Sequence, residues 1–180
     1  MREKVKAAAA ELGLDVEIKT LDRPTRTVPE AAAALGVEPA GRVEVKFSSL
    51  RGEVVELQGG VTVVNDCYNA NPMSMRAALQ HLAATPAARR LAVLGTMAEL
   101  GPDGDRYHRE IGALADELGI DVLITVGEPA LPIGEGFHGE KHAVATPEEA
   151  GALLEELARP GDRVLVKASR SAGLERVLAA

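Results

Sequence analysis

Tryptophan is missing from this sequence and only 2% of its 180 residues are aromatic. A core must therefore be assembled from Ala, Val, Leu and Ile, and there is almost nothing on which nucleic-acid bases would stack. Positive charge is also short. Twenty Lys and Arg stand against 27 Asp and Glu, for a net charge of -7. The two signs are mixed along the chain, which suits a soluble surface and not a phosphate-backbone footprint. One cysteine, Cys67, rules out an internal disulfide framework and a cysteine-based zinc site, and it fits a reducing compartment, with the cytoplasm as the expected location. No apolar run approaches the ~18 residues of a membrane span. The opening MREKVKAAAAELGL is charged every few residues, unlike a signal peptide. No G-x-x-x-x-G-K-[ST] loop occurs, so the usual backbone cradle for nucleotide phosphates is absent.

What is present is an apolar content of 46%, enough to fill the core of one ordinary domain, or of one domain plus a small extension. Arg2 to Leu12 reads as a short amphipathic helix stopped by Gly13, and DVEIKTL as a strand. Thr27 is placed to cap a helix over VPEAAAALGV, with Glu30 three residues later and Gly36 as the stop. Pro39, Ala40 and Gly41 then read as a linker, dividing an αβ extension (1–40) from the main domain (41–180). RVEVKFSSL and EVVEL predict a hairpin around Arg51 and Gly52.

From Val61 onward strands and helices alternate: VTVVND, SMRAALQHLAA, RLAVLG, DRYHREIGALADELG, DVLITVG, PEEAGALLEELA, RVLVKAS and AGLERVLAA. This spacing predicts right-handed βαβ crossovers, hence a Rossmann-like α/β fold with a mostly parallel sheet and helices on both faces. Pro129 to Lys141 is expected to be a Gly-rich loop. Ligands of such sheets bind outside the carboxyl ends of the strands, so residues following the strands should converge. They are Asp66, Tyr68, Asn69 and Asn71; Gly95, Thr96, Met97 and Glu99; Gly127 and Glu128; and Lys167, Ser169 and Arg170. Each also has a structural reading. Asn69, Asn71 and Pro72 form turns, and Ser74 is a candidate helix cap. Lys167 and Arg170 sit where a helix start needs no cation, which favours function. His108 is expected on a helix surface. His81, His138 and His142 show no ligand spacing, so no metal site is assigned.

DCYNANPMSMRAAL resembles the DSYNANPDSM signature of the MurF family of Mur ligases, which join D-alanyl-D-alanine to UDP-MurNAc-tripeptide in peptidoglycan synthesis. LAVLGTMAELGPDGDRYHREIG resembles the family's LGDM-ELG-HREIG segment, and VLVKASRSAGLERVL its LVKGSR segment. The resemblance covers about Gly41 to Ala180, the C-terminal domain of a three-domain enzyme. It implies a hinged domain that closes over ATP and Mg²⁺ held by a central domain, where the substrate carboxylate is phosphorylated before the amine of D-alanyl-D-alanine attacks. The implied nucleotide-binding residues are Arg42, Asp66, Tyr68, Asn69, Asn71, Lys167, Ser169 and Arg170. Asp66 would bond the ribose or orient a cation, Tyr68 would lie against the nucleoside, and Asn69 and Asn71 would shape the turn and offer amide bonds. Arg42 would reach the phosphates, and Lys167 and Arg170 would add positive charge to the cleft. None of these residues is implied to be catalytic, and replacing Asp66 or Lys167 by Ala is expected to spare folding.

The sequence departs from the family pattern at Cys67, where serine is usual, at Thr96, where Asp is usual, and at Ala168, where Gly is usual. The central and UDP-binding regions, which would be the partners of this domain, have no counterpart in the sequence. The chain is therefore expected not to condense substrates alone or to bind ATP and Mg²⁺ tightly. Residues 1–57 resemble the start of YbaK-type aminoacyl-tRNA editing domains, with Lys46 at their functional lysine. Most of that fold is missing, so deacylation is not expected, and the chain reads as two unrelated pieces joined. The alternative to a ligase domain is a binding or structural module whose nucleotide edge is a relic.

Overall fold

The computed structural model of the chain describes residues 52–57 and 59–178. These belong to a compact unit, Lys46–Ala180. The expected N-terminal helix, strand and linker, Arg42, Lys46 and the RVEVKFSSL arm of the hairpin lie outside the described residues.

Among the described residues six strands form one sheet: β1 (Glu53–Leu57), β2 (Val61–Asp66), β3 (Arg90–Leu94), β4 (Val122–Val126), β5 (Glu140–Val144) and β6 (Arg163–Lys167). Their spatial order is β1-β2-β6-β3-β4-β5. β1 pairs antiparallel with β2 across the turn at Gly59 and Gly60, and every other pairing is parallel. The last strand in sequence thus lies in the middle of the sheet. Its flanking registers align Asp66 with Lys167 and Leu94 with Lys167, which brings the ends of β2, β6 and β3 to one edge.

Alternation along the buried strands sorts side chains between two cores. Ala92, Leu94, Leu123 and Leu165 face α1 (Pro72–Ala84), α2 (Gly104–Glu117) and α3 (Leu131–Glu135). Leu91, Val93, Ile124, Val164 and Val166 face α4 (Pro147–Leu157) and the C-terminal segment carrying Leu174 and Val177. Helices therefore cover both faces, as the strand and helix alternation predicts. Each fully buried Leu here, such as Leu91 or Leu123, contributes roughly 1.5–3 kcal/mol.

The helices start where their side chains replace missing backbone partners. α1 opens with a reciprocal box: Ser74 N–H donates to Asn71 Oδ1 at 2.8 Å, and Asn71 N–H donates to Ser74 Oγ at 3.0 Å. Asn71 is thus the cap, in place of the expected Ser74, and Ser74 completes the box from the third helical position. Met75, Leu79 and Leu82 then recur on the sheet-facing stripe. In α4, Thr146 Oγ1 accepts from Glu149 N–H and Glu149 Oε2 accepts from Ala145 N–H.

Two elements differ from their sequence reading. The segment expected to be a Gly-rich loop holds a 3₁₀ turn (Glu128–Ala130), α3 and the start of β5. Its glycines serve packing: a Cβ on Gly136 would lie 2.2 Å from Arg109 O, and one on Gly112 of α2 would lie 1.8 Å from Ile133 O. α2 and α3 touch backbone to backbone, a contact open only to glycine. The C-terminal segment expected to be a helix is instead two 3₁₀ turns, Arg170–Ala172 and Leu174–Leu178, separated by Gly173 at φ 58.

At the opposite end of the sheet, Arg89 clamps Asp162. Its Nε and Nη2 donate to the two carboxylate oxygens at 3.1 and 2.6 Å, and Nη2 also donates to Leu157 O. Asp162 is nearly fully buried, and its hydrogen bonds hold the guanidinium pKa above its ordinary value. No helix among the described residues is long and apolar enough to cross a membrane.

Candidate functional site

The carboxyl edge of the sheet is tied together by residues that the sequence had placed in the cleft. Lys167 leaves β6 on the α1 side, 2% exposed, and Nζ donates to Asp66 Oδ2 at 2.5 Å and to Asn69 O at 2.9 Å. Asp66 and Lys167 do converge, but the ammonium is turned inward, so its charge is already balanced. The Asn69 side chain is occupied locally, with Oδ1 accepting from Ala70 N–H at 2.8 Å.

Ser169 links three post-strand loops. Its Oγ donates to Ala70 O at 3.2 Å and accepts from Ala98 N–H at 2.9 Å, and its own N–H donates to Thr96 O. His108 works beside it. Nε2 accepts from Met97 N–H at 2.9 Å while Nδ1 donates to Gly104 O at 2.8 Å, a pair of bonds that fixes the neutral Nδ1–H tautomer. This histidine is 4% exposed, not on the helix surface as expected. It recurs with Ile111 and Ala115 on the buried stripe of α2, and that spacing was the available signal. Thr96 Oγ1 lies 3.5 Å from the same Nε2.

These two anchors bracket a kink. Glu99 has φ 62, a left-handed conformation that costs of order 1–3 kcal/mol outside glycine and persists only where neighbours impose it. The bonds to Met97 and Ala98 N–H immediately before it supply that constraint. The result is an open cleft of about 760 Å³ lined by Tyr68, Asn69, Ala98, Glu99, Ser169 and Arg170. Arg170 lies over the Tyr68 ring, 5.8 Å from its centroid, a geometry that holds both side chains at the cleft wall.

The departures at Cys67 and Ala168 are accommodated by packing. Cys67 is fully buried and its thiol donates to Val166 O at 3.4 Å. Burial first, then the negative charges of Glu175 and Asp66, push its pKa up to about 12. Ala168 is also fully buried, and it fits because Gly95 opposite has no side chain: a Cβ there would come within 2.8 Å of Ala168 Cβ. Asn71 serves as the α1 cap and does not line the cleft. Among the described residues no cluster of three or more His, Cys, Asp or Glu is arranged to hold a metal.

A Rossmann-like sheet with a loop-built cleft at its carboxyl edge defines the class, and the chain belongs to the family described as Mur ligase, glutamate ligase domain, which matches residues 50–170. Its relatives are more particular. The UDP-N-acetylmuramoyl-tripeptide--D-alanyl-D-alanine ligase of Mycobacterium tuberculosis H37Rv is 43% identical over 175 residues, covering 84% of this chain and 33% of the relative. The ligase of the same name from Bacillus subtilis is 35% identical over 158 residues, covering 82% and 35%. Among solved structures, MurF of Acinetobacter baumannii aligns with TM-score 0.70 at 29% identity over 83% of this chain and 34% of that one. MurF of Thermotoga maritima in complex with ADP aligns with TM-score 0.67 at 26% identity over 97% and 35%. The chain spans about a third of the length of the curated relatives it matches.

Proposed function

We propose that this chain supplies the C-terminal domain of an ATP-dependent ligase that adds D-alanyl-D-alanine to UDP-MurNAc-tripeptide in the cytoplasm. In this reading residues 41–180 form that domain and residues 1–40 an extension to it. The observation that carries the proposal is the 43% identity to a ligase of that name, at an edge whose cleft is built and held by the matching segments. ATP and Mg²⁺, together with the tripeptide, belong to the central domain of such a ligase. Arg42, which lies outside the described residues, is assigned by resemblance to the phosphates. Asp66, Lys167 and Ser169 hold the edge in shape, while Tyr68, Asn69 and Arg170 face what the cleft receives.

Charge stabilisation of phosphoryl transfer needs a phosphate loop, its lysine and Mg²⁺. The domain contributes by closing on a site that already holds them, which completes the constellation and excludes water. The test is to join this chain to the remaining two-thirds of the Mycobacterium tuberculosis ligase and measure ATP-dependent condensation. Activity of the hybrid, absent from the truncated ligase alone, supports the proposal. An inactive hybrid, combined with an edge silent to ADP and Mg²⁺ in amide NMR, favours a non-catalytic module with a relic edge.

A further inference from the structure

The loop that kinks at Glu99 hangs on two anchors of different chemistry. Ala98 N–H donates to the hydroxyl of Ser169, which does not titrate, and Met97 N–H donates to Nε2 of His108, which does. The imidazole accepts there only while Nε2 carries no proton, because Nδ1 is already committed as a donor to Gly104 O at 2.8 Å. A second proton would turn Nε2 into a donor facing the donor Met97 N–H. It would leave only Thr96 Oγ1, 3.5 Å away, to receive it, and would strand the N–H of a buried residue.

The surroundings do not offset such a charge. The ring is 4% exposed, and its bond to Gly104 O sets it beside the first turn of α2, where the helix dipole disfavours a cation. Asp103, in the 3₁₀ turn before α2, is paired with Arg106, and Glu135 of α3 is paired with Arg109. Asp105 of α2, Arg76 and His81 of α1 and Glu99 itself are exposed. Among the described residues no charged group bonds to the ring.

We infer that His108 is a pH-sensitive latch: protonation of Nε2 releases Met97 N–H, leaves the loop held by Ser169 alone and lets Glu99 leave the left-handed region at φ 62. The loop is closed while the ring is neutral and opens as pH falls through the range in which histidine takes up a proton. One proton is gained per opening, so the open fraction rises by up to about tenfold per pH unit. The latch stands on these bonds alone, whatever the cleft receives.

The ¹⁵N-labelled 180-residue chain is followed by amide hydrogen exchange and imidazole ¹⁵N shifts from about pH 8 to about pH 5.5, a window above the ordinary carboxylate range. With the chemical exchange rate allowed for, protection of Met97 N–H is expected to fall by at least about tenfold, in step with protonation of His108. Val93 in β3 is expected to keep its protection, which excludes global unfolding. His108→Gln places a carbonyl oxygen that does not titrate where Nε2 accepts, so its Met97 protection is expected to stay flat over the same window. Three results overturn the inference: constant Met97 protection in the unaltered chain, a fall whose midpoint differs from that of the His108 ring, or the same fall in His108→Gln. If that variant does not fold, the two midpoints of the unaltered chain decide by themselves.

Discussion

Lys167 Nζ donates to Asp66 Oδ2 at 2.5 Å, joining the ends of two neighbouring parallel strands with the lysine buried and the aspartate partly open to solvent. The pair is therefore asymmetric. Asp66→Ala leaves a buried ammonium with only the Asn69 carbonyl and is expected to cost about 3 kcal/mol or more. Lys167→Met leaves a carboxylate that water reaches and is expected to cost less. Urea unfolding of the two variants measures the difference. Equal and small losses would restore the view that both side chains are dispensable for folding.

Cys67 sets a limit on alkaline stability. Its folded pKa is raised from 9.0 to about 12, so between these values the unfolded chain loses a proton that the folded chain keeps. Stability from this group is complete below about pH 9 and is lost as pH rises toward 12, at up to about 1.4 kcal/mol per pH unit. Denaturant titrations at pH 8, 9.5 and 10.5 should show the decline, and Cys67→Ser should flatten it. Alkylation of the native thiol at pH 8 should also be far slower than that of the urea-unfolded chain.

The clamp at the other end of the sheet predicts a large effect far from the cleft. Asp162→Ala strips Arg89 of both carboxylate bonds and frees Arg159 N–H, which donates to the same carboxylate. A loss of about 3–5 kcal/mol is expected, as for one half of a buried ion pair. The Arg89→Met, Asp162→Leu double variant should recover part of it. Chemical denaturation of the three proteins checks this.

Gly112→Ala is expected to separate α2 from α3, because its Cβ would sit 1.8 Å from Ile133 O and backbone cannot rotate away as a side chain would. The expected cost is at least about 2 kcal/mol, seen as a lowered melting temperature with early hydrogen exchange in α3. An unchanged melting temperature would contradict the packing.

The 180-residue chain should show no ATP-dependent condensation by itself, since no phosphate-cradling loop is present in it. Product formation by the purified chain, followed by mass spectrometry, would refute this.

The sheet was legible in sequence where strands are apolar runs bounded by turn residues, as in VTVVND, RLAVL and RVLVK, because burial on both faces leaves an unmistakable pattern. β5 was not legible. EKHAV is half exposed at the sheet margin and reads as polar. α3 was hidden because glycine, selected there for backbone contact with α2, carries the signature of a loop. At the site, the residues that gather at the edge could be named from topology. Their direction could not, since nothing in the string Lys167 to Arg170 tells which cation turns inward and which lines the cleft. Glu99 was noted only as a residue following a strand. Its backbone conformation arises from His108 and Ser169, nine and seventy residues away in the numbering, and no local propensity encodes it.

The place of β6 has a consequence for biogenesis. Its five residues are the keystone between β2 and β3, so a nascent chain that has left the ribosome only as far as α4 holds two half-sheets with unsatisfied inner margins. Productive folding must await emergence of the final strand. A premature stop before Arg163 would therefore remove the middle of the sheet, not trim its rim, and would expose two adhesive edges at once.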